Sequence, residues 1–245
     1  MDDHELAGHL AQLAGETLLR FRNESIQAGM DPWTLRDRGD LISHNLLIEE
    51  LHKFRPEDSV LSEEGVDDRK RLDADRIWIV DPLDGSQDYP YNDSEEWAVH
   101  VALIESGALK AGAVSCPSLG RHYTTGMSHS ATKDPQEDRV VVSNRWNSYQ
   151  AAYVAEALGA SLACCGSAGI KTALVIGGEA DIYMHNSGLY EWDVCAPVAV
   201  ARAAGLSACQ LDGQDFEFNK RNPVVRGLLI CRPELLDEVL SVIMN

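Results

Sequence analysis

Apolar positions recur along this chain in two rhythms, and the change between them falls near residue 127. In the first part, Leu6, Leu10, Leu13, Thr17, Leu18 and Phe21 sit at helical spacing, which predicts an amphipathic helix over 5–22. LISHNLLIEELHKF repeats that period over 41–54. Asp40 is placed to cap this second helix, and the Gly-, Pro- and Asp-rich stretch 28–40 reads as a loop. SVLSEEG predicts a short strand ending in acids, and RIWIVD (76–81) a strand apolar enough to be buried on both faces. WAVHVALIE (97–105), LKAGAVSC (109–116) and RHYTT (121–125) read as successive antiparallel strands.

The polar, turn-rich MSHSATKDPQED (127–138) marks a candidate domain boundary, separating 1–137 from 138–245. Beyond it, strands and helices alternate: RVVVS, YQAAYVAEAL, SLACC, AGIKTALVIGG, ADIYM and DVCAPVAVARAAG. LSACQL and GLLIC then read as strands and PELLDEVLSVIM as a closing helix. An antiparallel first half joined to an alternating second half predicts an α/β (α+β) class.

Composition narrows the function. With 245 residues, 44% of them apolar, the chain can bury a substantial core. A formal net charge of −18 argues against a nucleic-acid polymer or an anionic membrane as partner. No run reaches the roughly 18 apolar residues of a membrane helix. The acidic start, MDDHELAGHL, has neither the basic nor the apolar region of a signal peptide. Six scattered cysteines without a CxxC pair read as reduced thiols, so a cytoplasmic location is expected.

Three acid-bearing stretches remain: LSEEG with Glu63 and Glu64, IVDPLDGS with Asp81 and Asp84, and EWDVCAP with Glu191 and Asp193. Each alone has an ordinary explanation as a helix cap or a solvated turn. IVDPLDGSQDY resists it. Asp81 directly follows four apolar residues and is drawn inward, where a lone carboxylate is costly unless paired or bound to metal. Pro82 and Gly85 allow a tight turn that folds Asp84 back beside Asp81. No Lys or Arg lies in this stretch, so a hard divalent cation is the natural counter-ion of an all-oxygen site. Without one, the like charges raise each other's pKa, and Asp84→Asn is expected to relieve that repulsion while weakening metal binding. Gly85 and Ser86 offer backbone N–H groups at a turn that can open a helix, an arrangement suited to phosphate. The chemistry indicated is metal-assisted hydrolysis of a phosphate ester on a small substrate, the metals reversing the local field.

DPLDGS, with SEEG at 62–65 and WDVCAP at 192–197 in that order, resembles the motif set of the lithium-sensitive, magnesium-dependent phosphatases. That superfamily contains inositol monophosphatases, fructose-1,6-bisphosphatases and 3'(2'),5'-bisphosphate nucleotidases. The resemblance implies a five-layer αβαβα sandwich and two or three Mg2+ ions. It implies that Glu63, Asp81 and the carbonyl of Leu83 hold one metal, and that Asp81, Asp84 and Asp193 hold a second. Ser86, where the family usually has Thr, would orient the attacking water. Asp40 would pair with that hydroxyl, although DRGD replaces the family's Thr-x-x-Asp.

EWD at 191–193 and VVSNR at 141–145 resemble the bisphosphate nucleotidase branch, the CysQ type. The resemblance then implies Ser143, Arg145, Gly166 and Ser167 as substrate contacts beside Gly85, Ser86 and Asp193. Strand ends and helix capping explain the same four residues equally well. Lys171 reads either as part of this loop or as a solvated helix face. ADIYMH departs from the branch's usual Tyr-Pro-Arg, leaving His185 as a polar replacement or a surface residue. Trp78 and Trp192, beside proposed ligands, can stack on a base or simply pack, while His44 and His100 read as structural. The branch implies removal of the 3'-phosphate of 3'-phosphoadenosine 5'-phosphate, lithium inhibition, a tie to sulfate assimilation and possible homodimers. Inositol-1-phosphate or fructose-1,6-bisphosphate hydrolysis is the alternative within the class. A catalytically silent metal- or nucleotide-binding scaffold is the alternative outside it.

Overall fold

The computed structural model describes residues 1–67, 69–127, 140–145, 148–186 and 188–244. Two long helices open the chain. Helix α1 spans Asp3–Gln27, and its N-cap Asp2 accepts from the Glu5 N–H at 2.8 Å. Helix α2 spans Pro32–Phe54 and is capped by Asp31, which accepts from the Thr34 N–H at 3.0 Å. The expected loop over 28–40 is therefore mostly helix, and Asp40 lies inside α2 rather than at its N-cap. Pro32 sits at the first helical position, where its missing N–H costs nothing. Gly39 serves a close approach: a Cβ there would meet the Tyr89 ring at 2.7 Å. Residues that usually punctuate loops here start a helix and seat it on the site.

The first sheet runs β1 (Ser59–Ser62), β2 (Arg76–Asp84), β3 (Ala98–Glu105), β4 (Ala108–Cys116) and β5 (Arg121–Thr124), in that order. β1 pairs parallel to β2, and the other pairs are antiparallel. β2 continues three residues past the expected end, through Pro82 to Asp84, with a register shift between Asp81 and Asp84. That irregularity re-aims side chains, as β-bulges beside active sites do.

The second sheet is assembled from β6 (Val140–Ser143), β7 (Ser161–Cys164), β8 (Ile182–His185), β10 (Ser207–Cys209) and β12 (Leu228–Cys231), in the order β10-β12-β8-β6-β7. β9 (Leu189–Tyr190) and β11 (Val224–Val225) form a separate antiparallel pair. Helices α3 (Tyr149–Leu158), α4 (Ala168–Gly177), α5 (Glu191–Ala203) and α6 (Leu236–Met244) complete the fold.

Burial stacks these elements in five layers. Leu6, Leu10, Leu18 and Leu47 of α1 and α2 pack with Trp78, Val80, Val99 and Val101 on one face of the first sheet. Its other face (Ile77, Ile79, Ala102, Ile104) meets Ile170 and Ala173 of α4 and Val194 and Val198 of α5. The same core continues to Val142, Tyr183 and Ile230 of the second sheet. Val154 of α3 and Val239 of α6 cover that sheet's far side with Val141 and Met184. The order is αβαβα, as expected. The segment expected to divide two domains lies almost entirely outside the described residues. Among the described residues no helix is long and apolar enough to cross a membrane.

Candidate metal centre

The bulged end of β2 and the first turn of α5 meet, bringing Asp81, Asp84 and Asp193 together. One ligand atom from each lies within 4.8 Å of the others. Asp81 and Asp84 are buried, and Asp193 is half-buried. The Leu83 N–H donates to Asp81 Oδ1 at 3.0 Å, so the backbone itself orients that carboxylate. The Tyr190 N–H does the same for Asp193 Oδ2 at 2.6 Å. Leu83 lies between the two aspartates, buried.

The acids hold protons unequally. Burial, then the charges of Glu63, Asp84 and Asp193, raise Asp81 well above the usual carboxylate range. Burial and the Asp84 charge push Asp193 up to about 6. Glu63, on an exposed stretch after β1, stands outside the trio, and its charge is among those that raise Asp81. Withdrawal of its carboxyl from water, then the Asp193 charge, push it up to about 7. Asp40 faces the same cluster from α2, and desolvation followed by the Glu64 charge pushes it up to about 7.

Asp84 is the exception. Burial alone would raise it. His100, the Ser167 hydroxyl and the Gly169 N–H outweigh burial and hold it low. Ser167 Oγ and the Gly169 N–H (2.8 Å) both donate to Asp84 Oδ2. His100 Nε2 lies 3.1 Å from the same oxygen, an ion-pair contact without hydrogen-bond alignment. Burial would lower His100, and Asp84 reverses this and raises it.

Gly85 follows with φ +83°, and a Cβ there would stand 2.3 Å from the Glu96 carbonyl oxygen. Only glycine fits both constraints. The chain then turns rather than opening the expected helix: the Asp88 and Tyr89 N–H groups donate to the Gly85 carbonyl at 2.8 and 3.2 Å. Ser86, half-buried, sits in this turn.

The candidate substrate residues separate into two groups. Ser143 is buried, and its hydroxyl donates to the Met184 carbonyl at 2.7 Å, tying β6 to β8. Ser167 caps α4, accepting from the Ile170 N–H at 3.0 Å while its hydroxyl serves Asp84. Arg145 and Gly166 lie nearer solvent. Arg145 pairs with Asp88 at 2.6 Å and with Glu96, and the Gly166 N–H donates to Glu96 at 2.5 Å. Lys171 is not a solvated helix face. It is fully buried, donating to the Cys165 and Gly166 carbonyls at 3.1 and 2.6 Å, with the Tyr183 ring 5.2 Å from Nζ. Desolvation, then the Lys171 charge, lower His185 to about 4.

Trp78 packs under α1 and α2 and donates to Asp58 at 2.8 Å, away from any base. Trp192 stacks on Tyr190 with ring centroids 4.6 Å apart. His44 contacts Ser62 Oγ at 2.9 Å. His100, Asp88 and Glu96 were not singled out by sequence reasoning. The available signal was His100 itself, a polar residue inside the apolar run WAVHVALIE, because a buried polar group needs a partner.

The donor set fits a hard cation. It is all oxygen, two of its three central members are buried, and Asp81 and Asp193 are both raised above the usual carboxylate range.

The inositol monophosphatase family profile matches residues 9–243. The chain is 37% identical to the 3'-phosphoadenosine 5'-phosphate phosphatase of Mycobacterium leprae, over 99% of this chain and 94% of that one. It is 29% identical to the 3'(2'),5'-bisphosphate nucleotidase CysQ of Aggregatibacter actinomycetemcomitans, over 88% and 87%. Among solved structures, inositol monophosphatase II of Staphylococcus aureus superposes with a TM-score of 0.80 at 18% identity, covering 100% of this chain and 96% of that one. CysQ of Bacteroides thetaiotaomicron does so at 0.75 and 25% identity, covering 93% and 96%. A match over nearly the whole chain makes this chain a member of the inositol monophosphatase family.

Proposed function

We infer that this phosphatase removes the 3'-phosphate of 3'-phosphoadenosine 5'-phosphate, giving AMP and phosphate, by direct attack of water without a phospho-enzyme. The single observation that carries the hydrolytic reading is the Asp81–Asp84–Asp193 trio, whose ligand atoms lie within 4.8 Å of one another. The nucleotide is supported by the 37% identity to a relative named for that substrate.

In this reading Asp81, Asp84 and Asp193 hold Mg2+, with Glu63 and the Leu83 carbonyl completing the set. The bound ions would neutralise the phosphate, acidify a water and stabilise the leaving oxygen. The chain's own residues do the rest. Ser86 orients the attacking water through its hydroxyl. Asp40, with its carboxyl at about 7, accepts a proton near neutral pH and thereby steadies Ser86. Gly85 lets the turn that carries Ser86 press against the Glu96 backbone, where a Cβ would clash. Arg145 and the Gly166 N–H, now held by Asp88 and Glu96, face the site as anion-binding groups.

Phosphate release with Mg2+ from 3'-phosphoadenosine 5'-phosphate, inositol-1-phosphate and fructose-1,6-bisphosphate, measured side by side, tests the reading. The expected result is a clear kcat/KM preference for the nucleotide. Preference for either of the others keeps the metal centre and replaces the substrate. No release from all three moves the chain to a silent metal- or nucleotide-binding role.

A further inference from the structure

The residue that joins the two halves of the metal centre is His100. It lies on β3 directly opposite Asp81 in the sheet register and is fully buried. Its two ring nitrogens reach different elements. Nδ1 is 3.1 Å from the Trp192 carbonyl oxygen, in the first turn of α5 and one residue before Asp193. Nε2 is 3.1 Å from Asp84 Oδ2, on β2. A third element closes on the same ring: a Cβ added at Gly169, in α4, would stand 2.5 Å from Nε2, and the Gly169 N–H donates to Asp84. Asp84 and Asp193 come from segments more than a hundred residues apart, and no hydrogen bond between their side chains fixes their separation among the described residues.

We propose that His100 is the positioning residue of the metal centre, its imidazole bridging Asp84 to the first turn of α5 and so setting the distance between the Asp84 and Asp193 carboxylates. The contact is specific to one oxygen. Ser167, Gly169 and His100 all converge on Asp84 Oδ2, which leaves Oδ1 as the oxygen offered to a cation. Partners of this kind orient ligands, and their loss typically weakens metal affinity about 10–100-fold. The proposal rests on the metal-site reading and does not depend on which phosphate ester is cleaved.

Binding of Mn2+ to the metal-stripped protein, followed by calorimetry, tests it without any turnover. Three variants separate the two arms of the bridge. His100→Leu removes both contacts, His100→Asn keeps a donor near the Nδ1 position, and His100→Gln keeps one near Nε2. The expected order of affinity is wild type, then Gln and Asn, then Leu, with Leu about 10–100-fold weaker than wild type. A histidine that only fills space predicts something else: a lower melting temperature of the metal-free variants with affinity unchanged. Affinity within twofold of wild type in the Asn and Gln variants, with Asp84→Asn no longer binding, overturns the bridge and leaves the metal site standing. Absence of binding by the wild type overturns both. Should His100→Leu fail to fold, the Asn and Gln variants decide alone.

Discussion

The corner around Asp81 and Glu63 and the corner around Asp84 and His100 lie three residues apart on β2, yet they are built on opposite principles. Both aspartates are buried. At the first corner the neighbours are acids, and burial with the charges of Glu63, Asp84 and Asp193 raises Asp81 well above the usual carboxylate range. At the second the neighbours are donors, and Asp84 stays ionised through His100, Ser167 and Gly169. One corner is complete without a cation. The other is satisfied only when a positive charge arrives. A centre made this way has a fixed anchor and a responsive face, so the bare protein avoids the repulsion of several adjacent carboxylates.

The comparison breaks most visibly under Asp81→Asn and Asp84→Asn. Both should lower turnover by about 10²–10³-fold, the size typical when one electrostatic stabiliser of a transition state is lost. Their metal-free stabilities should diverge. Asp84→Asn strips the charge paired with buried His100 and should cost about 3 kcal/mol, the low end for breaking a buried pair, because Asn still accepts from Gly169. Asp81→Asn removes an acid from an acidic corner and should leave the melting temperature unchanged or raised. The repulsion that the Asp84 charge exerts falls on Asp81 and Asp193, and its relief in Asp84→Asn is set against the loss of the His100 pair. Equal melting temperatures for the two variants would erase the contrast.

The pH dependence of the metal-free protein is the next effect in size. Glu63 and Asp40 are at about 7 and Asp193 at about 6, all above their ordinary values of 4.5 and 3.8. Between pH 4 and 7 the folded chain therefore holds protons that the unfolded chain has released. Stability from these groups is full below about pH 4 and is lost as pH rises through 6–7. Asp84 contributes with the opposite sign, its share being lost only as pH falls below the usual carboxylate range. Thermal melts should show a drop of several degrees from pH 5 to pH 8, each kcal/mol being worth about 2–4 °C at this chain length. Mg2+ should abolish the drop. A melting temperature that rises from pH 5 to pH 8 without metal would contradict the acidic corner.

How much of this was legible in the sequence follows from how each contact is made. The acids of DPLDGS and WDVCAP were legible because a carboxylate at the end of an apolar strand demands a reason, and the strands and helices because their periods are regular. The start of α2 was not, since Pro32 and Gly39 carry the same letters in a helix as in a loop. The difference lies in the Asp31 cap and in the Tyr89 ring against Gly39. The surroundings of Lys171 and His100 were not legible for one reason: each is defined by partners distant in sequence or supplied by backbone. The carbonyls of Cys165 and Gly166 absorb the Lys171 ammonium, and the His100 ring touches both Asp84 of β2 and the Trp192 carbonyl of α5.

A smaller effect sharpens the acidic corner. Glu63→Gln removes the charge that does most, after burial, to raise Asp81, and keeps the side chain's shape. The metal-free melting temperature should then fall less steeply between pH 5 and pH 8 than in the wild type, with the lower limit of the transition unmoved. An unchanged slope would detach Glu63 from the corner.

Ser167→Ala tests the anchored corner with the smallest change. Ser167 does two things at once: it caps α4 through the Ile170 N–H and gives Asp84 Oδ2 one of its two hydrogen bonds. Loss of the cap alone should cost about 1 kcal/mol. Loss of the donor should leave Asp84 ionised, because His100 and Gly169 remain, so turnover at saturating Mg2+ should fall only a few-fold while more Mg2+ is needed to reach half of it. The KM for substrate separates this from the other role considered for the residue. A hydroxyl spent on Asp84 predicts an unchanged KM and a shifted Mg2+ requirement. A hydroxyl that contacts substrate predicts the reverse, a raised KM at an unchanged Mg2+ requirement, and that result would move Ser167 from the anchor of the metal centre to the wall of the substrate site.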